Sequence, residues 1–160
     1  LFFGGAGSIV YLHYDMDLSN VFLTQFHGKK RVILFDQKYS PHLYRLPFTV
    51  QSYVDVESPD YEKFPAMKYL QGYETVMEHG DMLFMPAGTW HYMNYLEGGY
   101  ALALRAFDPS LAVKARGIFN ISVMRLFDDV MKKRFGSHWY NYKHKKANEY
   151  AKEAMENAAV

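Results

Sequence analysis

His13 and Asp15 stand one residue apart in Tyr11-Leu12-His13-Tyr14-Asp15, and His91 follows far downstream in Pro86-Ala87-Gly88-Thr89-Trp90-His91. Along a β-strand, residues two apart face the same way, so the ring of His13 and the carboxylate of Asp15 can converge on one ion. Two imidazoles and one carboxylate make the facial triad of non-haem Fe(II) centres, which leaves coordination positions open for a cosubstrate and dioxygen. An oxygenase is therefore the leading expectation, with His13, Asp15 and His91 as metal ligands and catalytic residues. The stretch from Gly80 to His91 reads as strand, tight turn, strand, which would hold His91 rigidly at a strand start. Taken alone, a histidine between Trp90 and Tyr92 fits a hydrogen-bonded core residue equally well.

Three further side chains could serve a cosubstrate. If His13 and Asp15 face a barrel interior, the hairpin that follows can carry Asn20 and Lys30 into the same cavity, with Asn20, Phe22 and Thr24 on one strand face and Lys30, Val32 and Leu34 on the next. A buried lysine is costly unless an anion pairs with it, and the far carboxylate of a dicarboxylic acid would do so. An exposed lysine within Lys29-Lys30-Arg31 is the plainer alternative. In the final strand Gly99, Ala101, Ala103 and Arg105 alternate with Tyr100, Leu102 and Leu104. Small inward residues leave room for a ligand, and an arginine can grip a carboxylate through two parallel hydrogen bonds. A tapering core with Arg105 at its rim would show the same alternation.

The elements that must position these residues are short and closely spaced. Strands are expected at 1–3, 9–15, 20–26, 30–35, 74–77, 82–85, 90–95 and 99–107, punctuated by glycine- and proline-bearing turns. Such a pattern favours a mainly β sandwich or barrel. Residues 36–73 interrupt it with Pro41, Pro47, Pro59 and Pro65 and no clear period, either a lid or an ordered excursion. After Asp108-Pro109-Ser110 the period becomes helical. Ser110 is placed to cap a helix that runs to about Phe135 and ends at Gly136. Ile118, Phe119, Ile121, Val123, Leu126, Phe127 and Val130 make it apolar on more than one face, so one side should cover the barrel and another a second subunit. From Ser137 onward, Ala147, Ala151, Ala154 and Ala158 recur at helical spacing opposite a lysine-rich face. The expected organisation is a β-barrel core over 1–107 and a helical dimerisation or cap region over 108–160.

With 18 basic and 17 acidic residues, the net charge of +1 exerts no global pull on nucleic acid or membrane. The chain has no cysteine, so disulfides and thiolate ligands are excluded and a metal must use His, Asp, Glu or water. No apolar run approaches a membrane span of about 18 residues, and a soluble, cytoplasmic protein is expected. Leu1 opens inside the apolar run Leu1-Phe2-Phe3, which suggests a piece of a longer protein. A basic and aromatic group, Lys132, Lys133, Arg134, Lys143, Lys145 and Lys146 with Trp139, Tyr140 and Tyr142, raises a nucleic-acid reading, although such runs are commonly solvated helix faces.

Leu12-His13-Tyr14-Asp15, Asn20-Val21-Phe22, Gly28-Lys29-Lys30-Arg31-Val32-Ile33-Leu34-Phe35, Ser58-Pro59-Asp60-Tyr61-Glu62-Lys63-Phe64-Pro65, Gly72-Tyr73-Glu74-Thr75-Val76, the Gly80-to-His91 element and Gly98-Gly99 occur in that order. Together they resemble the JmjC or cupin-like 2-oxoglutarate oxygenases, the asparaginyl hydroxylases in particular. The resemblance implies a double-stranded β-helix of the jelly-roll or cupin type, with Fe(II) held by His13, Asp15 and His91. It implies that Lys30 pairs with the far carboxylate of 2-oxoglutarate and that Asn20 helps to place this cosubstrate. Arg105 stands where asparaginyl hydroxylases carry a polar amide. Val10 replaces a hydroxyl residue that usually contacts the cosubstrate, which leaves open whether Tyr11 beside it compensates. The implied activity is hydroxylation of a protein or peptide side chain, or of a small molecule, with formation of succinate and CO2. Retention of Asp15 favours hydroxylation over halogenation. A metal-binding relative without turnover is the alternative, and the paired C-terminal helices match a family habit of dimerising there.

Overall fold

The computed structural model describes residues 1–158 and contains eight strands: β1 (Phe2–Gly4), β2 (Ile9–His13), β3 (Ser19–His27), β4 (Lys30–Phe35), β5 (Gly72–Met77), β6 (Met82–Met85), β7 (Trp90–Tyr95) and β8 (Gly99–Phe107). They form two antiparallel four-stranded sheets, ordered β1-β8-β3-β6 and β2-β7-β4-β5, the jelly-roll arrangement of a cupin. The β3–β4 hairpin turns at Gly28, which has φ 73° and the Gly98 carbonyl 2.5 Å from where a Cβ would stand, so that only glycine fits both the conformation and the space.

Val21, Leu23, Val32, Met77, Met85, Met93 and Ala101 fill the space between the sheets. The parity of β4 is as expected, with Lys30, Val32 and Leu34 inward. That of β3 is reversed. Val21 and Leu23 face inward, and Phe22 lies against Phe84 on the outer side, their rings 4.8 Å apart. A strand with apolar side chains at both parities carries no alternation to fix its facing.

The 36–71 excursion is an ordered cover. Leu43, Tyr44, Leu46, Val50, Val54, Phe64, Ala66 and Met67 are buried against the outer faces of β2, β4 and β7, where Leu12, Ile33, Phe35, Trp90 and Tyr92 form a second core. This explains why β7 is buried on both faces. Arg31, Tyr92 and Asn94 donate to Glu57 at 3.1, 2.7 and 3.0 Å and so tie the excursion to the sheet.

Ser110 caps α1 (Leu111–Phe119), a π-helical turn follows at Asn120–Met124, and α2 spans Arg125–Ala158. Gly136, at φ 49° and ψ −120°, breaks α2 where the sequence places the stop. Across the break Asp128 accepts from Trp139 Nε1 and Lys143 Nζ, each at 2.8 Å, and pairs with Lys132. Lys143 and Trp139 are therefore buried, and they do not join the other lysines in one exposed basic and aromatic surface. Ala147 and Ala151 pack on the second core, whereas the side chain of Ala158 lies outside the described residues. Leu111, Ile118, Phe119, Ile121, Val123, Leu126 and Val130 are exposed along the first helical stretch. Among the described residues no helix is long and apolar enough to cross a membrane.

Candidate metal and cosubstrate site

β2 ends at His13, so Asp15 lies beyond the strand, in a turn closed by the Leu18 N–H donating to the Asp15 carbonyl at 3.1 Å. The expected strand through residue 15 is two residues too long, yet the convergence survives. His13 is paired with His91 across β2 and β7, and the ring centroids lie 4.3 Å apart. One ligand atom each from His13, Asp15 and His91 falls within 4.8 Å of the other two.

The backbone orients both rings. His13 Nδ1 lies 2.8 Å from the Tyr11 carbonyl oxygen and His91 Nδ1 lies 3.0 Å from that of Thr89. A carbonyl only accepts, so each Nδ1 carries the hydrogen and each Nε2 keeps its lone pair. Burial, and then the neighbouring His13, push the His91 pKa down to about 4, which keeps the imidazole in its neutral, ligating form. Two such nitrogens and one carboxylate fit a borderline divalent ion such as Fe(II), and among the described residues no further His, Asp or Glu joins the group to close the open positions.

A cavity of about 120 Å³ extends from these three residues between the sheets, with Lys30 and Tyr95 also in its wall. Lys30 is 1% exposed, its Nζ lies 4.2 Å from the Tyr95 ring centroid, and no carboxylate among the described residues pairs with it. Burial lowers its pKa to about 8. An ammonium in an apolar wall, with only an aromatic face as partner, is a desolvated cation with which an anionic ligand could pair. Val10 lines the same cavity without a hydroxyl, and Tyr11 offers none because its side chain is 77% exposed on the outer side.

Two expected cosubstrate residues are placed otherwise. Asn20 falls outside the cavity because β3 presents its odd-numbered residues inward; its Oδ1 accepts from the Ala87 N–H at 3.0 Å and anchors the turn that precedes His91. Arg105 does reach the cavity wall, but its guanidinium is already engaged. Nη2 donates to Asp15 Oδ1 at 2.9 Å, and Nη1 donates to Asp17 Oδ1 and to Ser19 Oγ, both at 3.1 Å. A cosubstrate carboxylate would have to displace two carboxylates of the protein to gain it. Asp17 and Ser19 were not singled out from the sequence. The acidic repeat Asp15-Met16-Asp17 was the available signal for Asp17.

The family model described as a cupin-like domain matches residues 1–133. Among curated proteins, tRNA wybutosine-synthesizing protein 5 of Gallus gallus is 38% identical over 102 residues, which is 64% of this chain and 30% of that protein. JmjC domain-containing protein D of Dictyostelium discoideum is 36% identical over 103 residues, 62% of this chain and 22% of that protein. Lysine-specific demethylase 8 of Xenopus tropicalis is 33% identical over 104 residues, 63% of this chain and 23% of that protein. The matched region thus spans less than a third of each of these relatives.

Proposed function

The chain belongs to the cupin-like domain family, in its JmjC branch of 2-oxoglutarate oxygenases, and we propose that it is itself an Fe(II)- and 2-oxoglutarate-dependent dioxygenase that hydroxylates its substrate. The observation that carries this reading is the unpaired, buried Lys30 in the same cavity wall as the His13, Asp15 and His91 cluster. A metal site without a cosubstrate would not need a desolvated cation in that wall.

His13, Asp15 and His91 would hold the iron, and Lys30 would receive the far carboxylate of the keto acid in a charge-assisted hydrogen bond. Bound together, iron and 2-oxoglutarate supply the oxidation, in which one oxygen atom of dioxygen enters the target C–H bond while 2-oxoglutarate becomes succinate and CO2. The chain itself contributes fixed imidazole orientation, a buried cation for the cosubstrate carboxylate and an apolar wall of Val21, Leu23, Met85 and Met93 that excludes bulk water. The substrate in this reading is a protein or peptide side chain or a small molecule. Similarity to relatives named for tRNA wybutosine synthesis and for lysine demethylation supports a macromolecular substrate over a small one.

The proposal includes a homodimer through the first helical stretch, supported by exposed Leu111, Ile118 and Leu126 at 80%, 68% and 64%. Exposed apolar side chains recurring along one helical stretch mark an interaction surface.

Anaerobic addition of Fe(II) and then 2-oxoglutarate tests the function. A visible charge-transfer band, followed by succinate on admission of oxygen, is the expected result. A folded protein that gives no band overturns the reading.

A further inference from the structure

The turn that presents Asp15 is held from outside the barrel, by residues about a hundred positions later in the chain. Gly117 of α1 lies directly on it, and a Cβ at this position would collide with the Asp17 carbonyl oxygen. One turn further on, Asn120 Nδ2 donates to the Met16 carbonyl at 3.1 Å. Asn120 is also the first residue of the π-helical turn, a local widening of the helix that is often found at functional sites. Gly117 is buried although most of its helix is exposed, so the contact is specific to this point. From the barrel side, Arg105 bridges Asp15 and Asp17, and Ser19 Oγ donates to both oxygens of Asp17 at 3.0 Å.

Two carboxylates two residues apart repel one another, and the turn that carries them closes at Leu18, which has φ 51°, a conformation that a leucine adopts only when its surroundings impose it. The guanidinium offsets the repulsion and the helix supplies the constraint. We propose that Gly117, Asn120 and Arg105 are positioning residues for the metal carboxylate, so that the C-terminal helical region, through the 15–19 turn, sets how tightly the triad binds a divalent ion. This rests on the assignment of His13, Asp15 and His91 as metal ligands.

The alternative for Arg105 is a direct grip on the cosubstrate, and for Gly117 and Asn120 simple packing. Anaerobic Fe(II) titration of the apo chain against a competing chelator separates them, because no cosubstrate or turnover is involved. Asn120→Ala, Gly117→Ala and Arg105→Gln are each expected to weaken Fe(II) by about 10- to 100-fold, the usual effect of losing a group that orients a ligand. Arg105→Lys, which keeps the charge without bridging two carboxylates, should recover only part of the loss. Ala115→Ser, at an exposed position on the same helix two residues before Gly117, is the control and should bind as wild type. Thermal midpoints recorded in parallel show whether each variant is folded, and Asn120→Ala, which removes one surface-side amide, serves where Gly117→Ala does not fold. Wild-type failure to bind Fe(II) would overturn the triad assignment itself. Wild-type binding with equal affinity in folded Asn120→Ala and Arg105→Gln would overturn the positioning proposal alone, as would an equal loss in Ala115→Ser.

Discussion

Lys30→Met should make the protein more stable and less able to bind 2-oxoglutarate. Methionine keeps an unbranched side chain of similar reach and removes the ammonium from the cavity wall. The fall of the Lys30 pKa from 10.5 to about 8 corresponds, at about 1.36 kcal/mol per pH unit, to about 3 kcal/mol by which the buried charge opposes folding. Loss of the cation over the Tyr95 ring returns about 1–2 kcal/mol of this. The net gain at pH 7 is then about 1–2 kcal/mol, a rise in Tm of roughly 2–8 °C for a chain of this size. Its pH window follows from the direction of the shift. The folded pKa lies below the unfolded one, so the penalty is complete below about pH 8, where both states are charged. It fades as pH rises toward 10.5, where the unfolded chain alone still holds the proton. The advantage of the variant should fade over the same interval. Binding moves the other way. A cosubstrate carboxylate left unpaired in the cavity costs about 2–5 kcal/mol, so affinity should drop by about 30-fold or more. Thermal scans at pH 7 and pH 10, with anaerobic titration of Fe(II) and then 2-oxoglutarate, measure both arms. A variant that melts lower than wild type at pH 7 and binds 2-oxoglutarate equally well would refute the account of Lys30 as a cation held ready for an anion.

His13→Ala and Asp15→Ala should each abolish measurable Fe(II) binding in the same titration, while Lys30→Met leaves it intact. Retained iron affinity in both ligand variants would remove the triad. Asp128→Asn leaves the buried Lys143 without its carboxylate and should cost about 3–5 kcal/mol in urea unfolding; a change under about 1 kcal/mol would show that the pair is not sequestered. Leu126→Glu places a charge in the exposed apolar stretch of α2, and light scattering after size-exclusion chromatography should show monomers where wild type gives dimers. Identical masses for the two proteins would dismiss this surface as the contact.

Much of this protein is legible in its residue order because its information is local. Short runs of strand-forming residues between glycine- and proline-bearing turns, such as 30–35, 82–85, 90–95 and 99–107, occupy those residues in the structure, since pleat and turn chemistry act over a few positions. The same locality made Ser110 and Gly136 visible as a cap and a break, and it presented His13, Asp15 and His91 as candidates for one ion. What the sequence left open depends on partners far along the chain. Asn20 faces a neighbouring turn and not the cavity because β3 is apolar at both parities, and only pairing with β6 and β8 decides its facing. The 36–71 excursion has no period to detect, for its side chains are buried by irregular backbone against the outer sheet face. Arg105 meets Asp15 and Asp17 across nearly ninety residues, and Asn120 meets Met16 across more than a hundred. Donor types are a property of residues, but their distances are a property of packing, and it is the packing of β8 and α1 against a single turn that determines the orientation of Asp15.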